Sequence, residues 1–68
     1  QNIDSFVTVV LDVRSKKNKD LLKIISKKDG IEDILFTNNN ATAYVKFSRS
    51  KLNKNIFDDL TYLGDVDG

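Results

Sequence analysis

Sixty-eight residues leave room for one domain with one thin core, because a chain this short buries only about 60% of the surface it exposes when unfolded. Cysteine, histidine, methionine, tryptophan and proline are all absent, which excludes a Cys or His metal site, a disulfide framework, a histidine acid/base and the usual triad nucleophiles. Eleven Lys+Arg against ten Asp+Glu give a net charge of +1, so the global charge calls for neither nucleic acid nor an anionic membrane.

Ser5-Phe6-Val7-Thr8-Val9-Val10-Leu11-Asp12-Val13 is rich in β-branched residues and reads as a strand. Val7, Val9, Leu11 and Val13 share one of its faces, and Phe6, Thr8, Val10 and Asp12 share the other. Both faces are partly apolar, which places the strand centrally in its sheet. After the polar turn Arg14-Ser15-Lys16-Lys17-Asn18, residues Leu21, Leu22, Ile24 and Ile25 recur at helical spacing among lysines. Ser15 or Asn18 is the expected N-cap, Lys27 and Lys28 suit the negative end of the helix, and Gly30 is its expected stop.

Ile31–Thr37 and Ala41–Ser48 read as two further strands that pair antiparallel. Asn38-Asn39-Asn40 joins them, and asparagine tolerates the left-handed backbone of a hairpin turn. In the second of these strands Ala43, Val45 and Phe47 face one way, with Thr42, Tyr44 and Lys46 facing the other. Leu52, Ile56, Phe57, Leu60 and Leu63 then follow a helical period, which predicts a second helix from Ser50 with Gly64 as its stop.

The predicted fold is therefore α+β: a ferredoxin-like βαββα(β) sandwich with two helices on one face of an antiparallel sheet. Only Gly64-Asp65-Val66-Asp67-Gly68 remain for a fourth strand, so that strand is expected to be short or missing. Without it the first strand would be an exposed apolar edge open to self-association.

Residues 1–68 are expected to form a single domain. No run of 18 apolar residues offers a membrane span, and Gln1-Asn2-Ile3-Asp4 lacks the basic start and apolar stretch of a signal peptide. A first residue of Gln rather than Met suggests a processed form or a module of a larger protein, and localisation stays open.

This order of elements resembles the heavy-metal-associated domain, the ferredoxin-like module of copper chaperones and metal-transporting ATPases. The resemblance covers roughly residues 5–64. In that family a first strand runs into a Gly-Met-x-Cys-x-x-Cys loop and a helix. Here Leu11-Asp12-Val13-Arg14-Ser15-Lys16-Lys17 occupies the loop, with Leu21 and Ile25 at the helix's apolar positions. Asp29-Gly30-Ile31-Glu32-Asp33-Ile34 is similar to the family's Pro-Gly-Val-x-x-Val turn, and Ala43-Tyr44-Val45-Lys46-Phe47 to its third strand. Ser50-Lys51-Leu52 and Leu60-Thr61-Tyr62-Leu63-Gly64 are similar to its final helix. The register runs from Leu11 to Leu52 without a gap. The two metal-binding cysteines of the family fall on Arg14 and Lys17, and cations cannot ligate a cation. What the resemblance implies is thus the fold without the thiol metal site, and no cofactor is expected.

Between positions 14 and 28, seven cations face the single carboxylate Asp20, a local charge of +6. Such a surface can simply solvate a helix, or it can attract an acidic protein partner through Arg14, Lys16 and Lys17. The alternative is single-stranded RNA. Ala43–Phe47 matches the last five positions of the RNA-recognition-motif signature, with Phe6, Thr8, Tyr44 and Lys46 on the open sheet face. Against it, Asn40-Ala41-Thr42 replaces the basic-Gly-aromatic opening of that signature.

Asp65-Val66-Asp67-Gly68 echoes the start of a calcium loop but ends before the remaining ligands. Neighbours such as Asp58-Asp59 and Glu32-Asp33 point to different sides of a helix or strand, so no catalytic carboxylate pair is expected. The sequence reads as a non-enzymatic protein-interaction or regulatory module.

Overall fold

The computed structural model describes residues 5–66, so Gln1–Asp4 and the Asp67-Gly68 half of the calcium-loop echo lie outside the described residues. The chain order is β1 (Phe6–Asp12), α1 (Lys16–Ser26), β2 (Ile31–Thr37), β3 (Thr42–Ser48), a 3-10 turn (Lys54–Phe57) and β4 (Thr61–Val66). The strands form one sheet in the order β2-β3-β1-β4, antiparallel at every junction. β1 and β2 consequently run parallel with β3 between them.

The alternation in β1 orients the sheet. Val9, Leu11 and Val13 are fully buried, and they meet Leu22 and Ile25 of α1, Ala43, Val45 and Phe47 of β3, and Phe57 and Leu60. Ser15 caps α1 by accepting a hydrogen bond from the Asn18 N–H at 3.1 Å. The Asn18 side chain instead donates to the Asp12 carbonyl at 2.9 Å, tying the helix start to the end of β1. α1 ends at Ser26, with the Lys27 N–H donating to the Ile24 carbonyl at 3.2 Å and the Lys28 N–H to the Ile25 carbonyl at 2.9 Å. Gly30 lies beyond that cap and turns the chain into β2 at φ +112, with its carbonyl accepting from the Ser48 N–H at 2.8 Å. Asn38, Asn39 and Asn40 all adopt positive φ (56°, 58° and 65°), and together they make the β2–β3 connection.

The expected second helix does not form. Leu52, Ile56, Phe57, Leu60 and Leu63 have helical spacing, yet only the four residues Lys54–Phe57 coil, and they do so as a 3-10 turn. The physical reason is local and tertiary at once. Asn53, Asn55, Asp58 and Asp59 bear short polar side chains that compete for helix backbone hydrogen bonds, so they favour turns. The 3-10 turn already buries Phe57, with Leu60 just after it. The residues beyond it gain more by pairing with β1, whose backbone N–H and C=O groups on that side would otherwise lack protein partners.

β4 is therefore present and six residues long, and β1 is flanked on both sides, so the expected exposed edge of the first strand is closed. Self-association through that edge is overturned with it. Gly64 is a strand residue opposite Val10 rather than a helix stop. Between Val10 and Leu11 the register slips, so that Leu63 has no direct partner and sits in a β-bulge. The Lys54 ammonium, 2.7 Å from the Asp65 carboxylate, fastens the 3-10 turn to β4.

Candidate interaction surfaces

Leu11–Lys17 is the segment that the resemblance sets at the family's metal loop, and it closes on itself. Arg14 forks onto Asp12: its Nε donates to both carboxylate oxygens at 3.1 Å and its Nη2 to Oδ2 at 2.8 Å, while the Arg14 N–H donates to Oδ1 at 3.0 Å. The hydrogen-bonded guanidinium holds the Asp12 carboxyl below its ordinary value, and Asp12 in turn raises Arg14. Lys16 reaches Asp20 one turn along α1 at 2.9 Å, and that hydrogen bond lowers the Asp20 carboxyl. Lys19 donates to the Val13 carbonyl at 2.8 Å. Of the three expected contact residues, Arg14 and Lys16 have their charge compensated, whereas Lys17 is exposed and makes no ion pair among the described residues. No cluster of three His, Cys, Asp or Glu side chains suited to a metal occurs among the described residues.

The Asp12–Arg14 closure has a pH signature. Because the folded-state pKa of Asp12 is depressed, its contribution to stability is complete above the unfolded value near 3.8 and disappears as pH falls through the lower folded value. Urea midpoints should drop as pH falls through 3.8 and below, and Asp12→Asn should flatten part of that drop. Identical pH dependence in the parent chain and in Asp12→Asn would show that the closure carries no stability.

The second candidate surface is the sheet face opposite the core. Phe6, Thr8, Tyr44 and Lys46 all lie on it, as their alternation required. Thr8 pairs directly with Lys46 and Val10 with Tyr44, and the Lys46 ammonium sits 5.2 Å from the centre of the Phe6 ring. Three residues that sequence reasoning left off this face complete it. Leu35 stands beside Tyr44 and is 59% exposed, Leu63 is 55% exposed at the bulge, and Val66 pairs with Thr8. The alternation of Asp33, Leu35 and Thr37 carried the signal for Leu35, while the helical period masked Leu63.

Among the described residues no element covers Phe6, Val10, Leu35, Tyr44, Leu63 and Val66, and together they form an apolar band across all four strands. Its charges are few: Lys46 stands opposite Asp33 in the ladder register with its ammonium over the Phe6 ring, and Asp12 is held by Arg14. The other carboxylate neighbours, Asp58-Asp59 and Glu32-Asp33, are exposed and belong to no metal-binding cluster. Among the described residues, no helix is long and apolar enough to cross a membrane. Comparisons with known protein families, with curated proteins and with solved structures found no match.

Proposed function

We propose that this chain is a non-catalytic protein-interaction module of ferredoxin-like plan, similar to heavy-metal-associated domains but without their thiol metal site. Two features support the plan. β3 lies between the parallel strands β1 and β2, a split β-α-β arrangement. On the other side of β1, the 3-10 turn and β4 take the places of a second helix and a fourth strand. The loss of metal binding rests on the loop, where Arg14 and Lys17 stand at the cysteine positions and Arg14 is closed onto Asp12.

The observation that carries the interaction reading is the uncovered apolar band of Phe6, Val10, Leu35, Tyr44, Leu63 and Val66. Monomeric domains seldom leave such contiguous apolar surface bare. The partner it fits is a protein with an apolar, uncharged contact patch. Single-stranded RNA would use Tyr44 and Phe6 as stacking platforms, but it also needs a positive track for its phosphates, and this face supplies one Lys46, opposite Asp33 in the ladder register. Arg14, Lys16 and Lys17 take a secondary part at the rim.

An amide NMR titration tests both halves. Cu(I) and Zn(II) should leave residues 11–19 unmoved, and a short single-stranded RNA should leave Phe6 and Tyr44 unmoved. A partner captured by the immobilised parent chain should be lost with Leu35→Asp and Leu63→Asp. Metal-induced shifts in the loop would overturn the loss of metal binding. RNA-induced shifts on the sheet face would replace the protein partner with a nucleic acid, and concentration-dependent dimerisation through that face would replace it with a second copy.

A further inference from the structure

The basic character of residues 14–28 is not used by the sheet-face reading, and the structure shows where that charge is uncompensated. Each ion pair among the described residues takes up one cation: Arg14 with Asp12, Lys16 with Asp20, Lys51 with Asp29 and Lys54 with Asp65. Lys17, Lys19, Lys23, Lys27 and Lys28 have no carboxylate within ion-pair distance among the described residues, and all five lie on α1 or just past its end. Among the described residues Lys19 donates to the neutral carbonyls of Val13 and Arg14 and meets Asp12 only through a longer-range attraction.

Two of these lysines flank a groove. A helix about 10 Å wide cannot roof four strands spaced about 4.8 Å apart, so the outer strand of the sheet is left partly bare beside α1. Lys19, Leu22, Lys23 and Ser26 form one stripe of α1 at positions i, i+3, i+4 and i+7, facing Ile34 and Phe36 of β2 and Asn40 of the turn. The space between them is about 360 Å³, and no carboxylate lines it among the described residues. Phe36 lies on the core side of β2, opposite Ala43, yet is 46% exposed because nothing from α1 reaches over it.

We infer that this α1–β2 groove docks an acidic, amphipathic peptide segment of a partner protein. An apolar side chain of the segment would rest on Phe36 and Ile34, above the buried Leu22, and flanking carboxylates would face Lys23 and Lys19. Charge complementarity selects the acid, and the apolar floor selects a segment that also carries hydrophobic side chains. A nucleic acid would meet the lysines but leave Leu22 and Ile34 without a use. The groove is on the opposite side of the sheet from the Phe6–Tyr44 face, so it stands or falls independently of the sheet-face reading.

The test uses the labelled 68-residue chain and a synthetic peptide of about ten residues in which Asp/Glu alternate with Leu/Phe. Two control peptides replace either the apolar residues by Ser or the acidic ones by Lys. The first peptide should shift amides of residues 19–26 and 34–40, and both controls should bind at least about tenfold more weakly. Lys23→Glu, an exposed change on a helix surface, should weaken binding about fivefold or more and reduce its salt dependence. Phe36→Ala should weaken it without altering that dependence. The proposal is overturned if about 1 mM peptide moves none of these amides, or if the shifts fall on Phe6, Thr8 and Tyr44. It also fails if both variants bind like the parent, or if single-stranded RNA occupies the groove more tightly than the peptide.

Discussion

Gly30→Ala is expected to remove most of the stability of this domain. At φ +112 a side-chain-bearing residue is strained by about 1–3 kcal/mol. An added Cβ would also lie 2.9 Å from both Leu52 Cγ and Lys51 Cβ. Leu52 can shift its side chain, but Lys51 Cβ is fixed to the backbone, so relief requires moving the 49–52 turn. Gly30 cannot retreat in the other direction, since its carbonyl is bonded to the Ser48 N–H. Overpacking of this kind costs about 1–3 kcal/mol more. The sum is about 2–6 kcal/mol, against a total of about 5 kcal/mol for a domain of this size. The urea midpoint should fall by about 2–3 M. Gly64→Ala is the control, because Gly64 also has positive φ (+153) but no atom within 4 Å of a would-be Cβ. If both substitutions cost the same, the close approach of residues 51 and 52 to Gly30 is not a feature of the folded protein.

Phe47→Ala should be about as severe for a different reason. Phe47 is 1% exposed, lies opposite Val7 and Ile31 on the ladder, and packs its ring 5.3 Å from that of Phe57. It is the aromatic contact that holds the 3-10 turn to the core face of the sheet, beside the Lys54–Asp65 ion pair to β4. Truncating a buried phenylalanine to alanine costs about 3–5 kcal/mol, which is comparable to the whole stability of the domain. The expected result is loss of amide dispersion in NMR spectra and no cooperative urea transition. Phe47→Leu, which keeps most of the volume, should retain the transition at a lower midpoint. A Phe47→Ala chain that unfolds within about 1 kcal/mol of the parent would mean that residues 54–57 do not close over the sheet.

The correspondence between residues and structure is uneven along the chain, and two regions show why. Val9, Leu11 and Val13 alternate with Thr8, Val10 and Asp12, and each side chain took the side that alternation demands. Asn38–Asn40 supplied three consecutive left-handed residues exactly where a turn was needed between two strands. Residues 50–64 have an equally clear helical period, but the chain does not follow it. Leu52, Ile56 and Phe57 bury their side chains partly or wholly without a helix, and Leu63 turns out to the open face.

The candidate sites follow the same division. Alternation alone put Phe6, Thr8, Tyr44 and Lys46 on one face. That Leu35, Leu63 and Val66 join them depends on the register of β2 against β3 and of β4 against β1. Counting charges gave +6 between residues 14 and 28, whereas which of those cations are free depends on Asp12 and Asp20 being within reach of Arg14 and Lys16. Likewise the exposure of Phe36 beside Lys23 arises only when one helix must cover a sheet wider than itself.

The amino-acid sequence by itself determined the three strands before residue 50, the first helix with its cap narrowed to Ser15 or Asn18, the asparagine turn, the faces of β1 and β3, and the absence of thiol and imidazole chemistry. These are properties of side-chain period, capping and composition, which act over a few residues. The tertiary structure alone decided that residues 61–66 pair with β1 instead of coiling, because the free hydrogen-bonding edge of a strand far away in the sequence outweighs a local helical period.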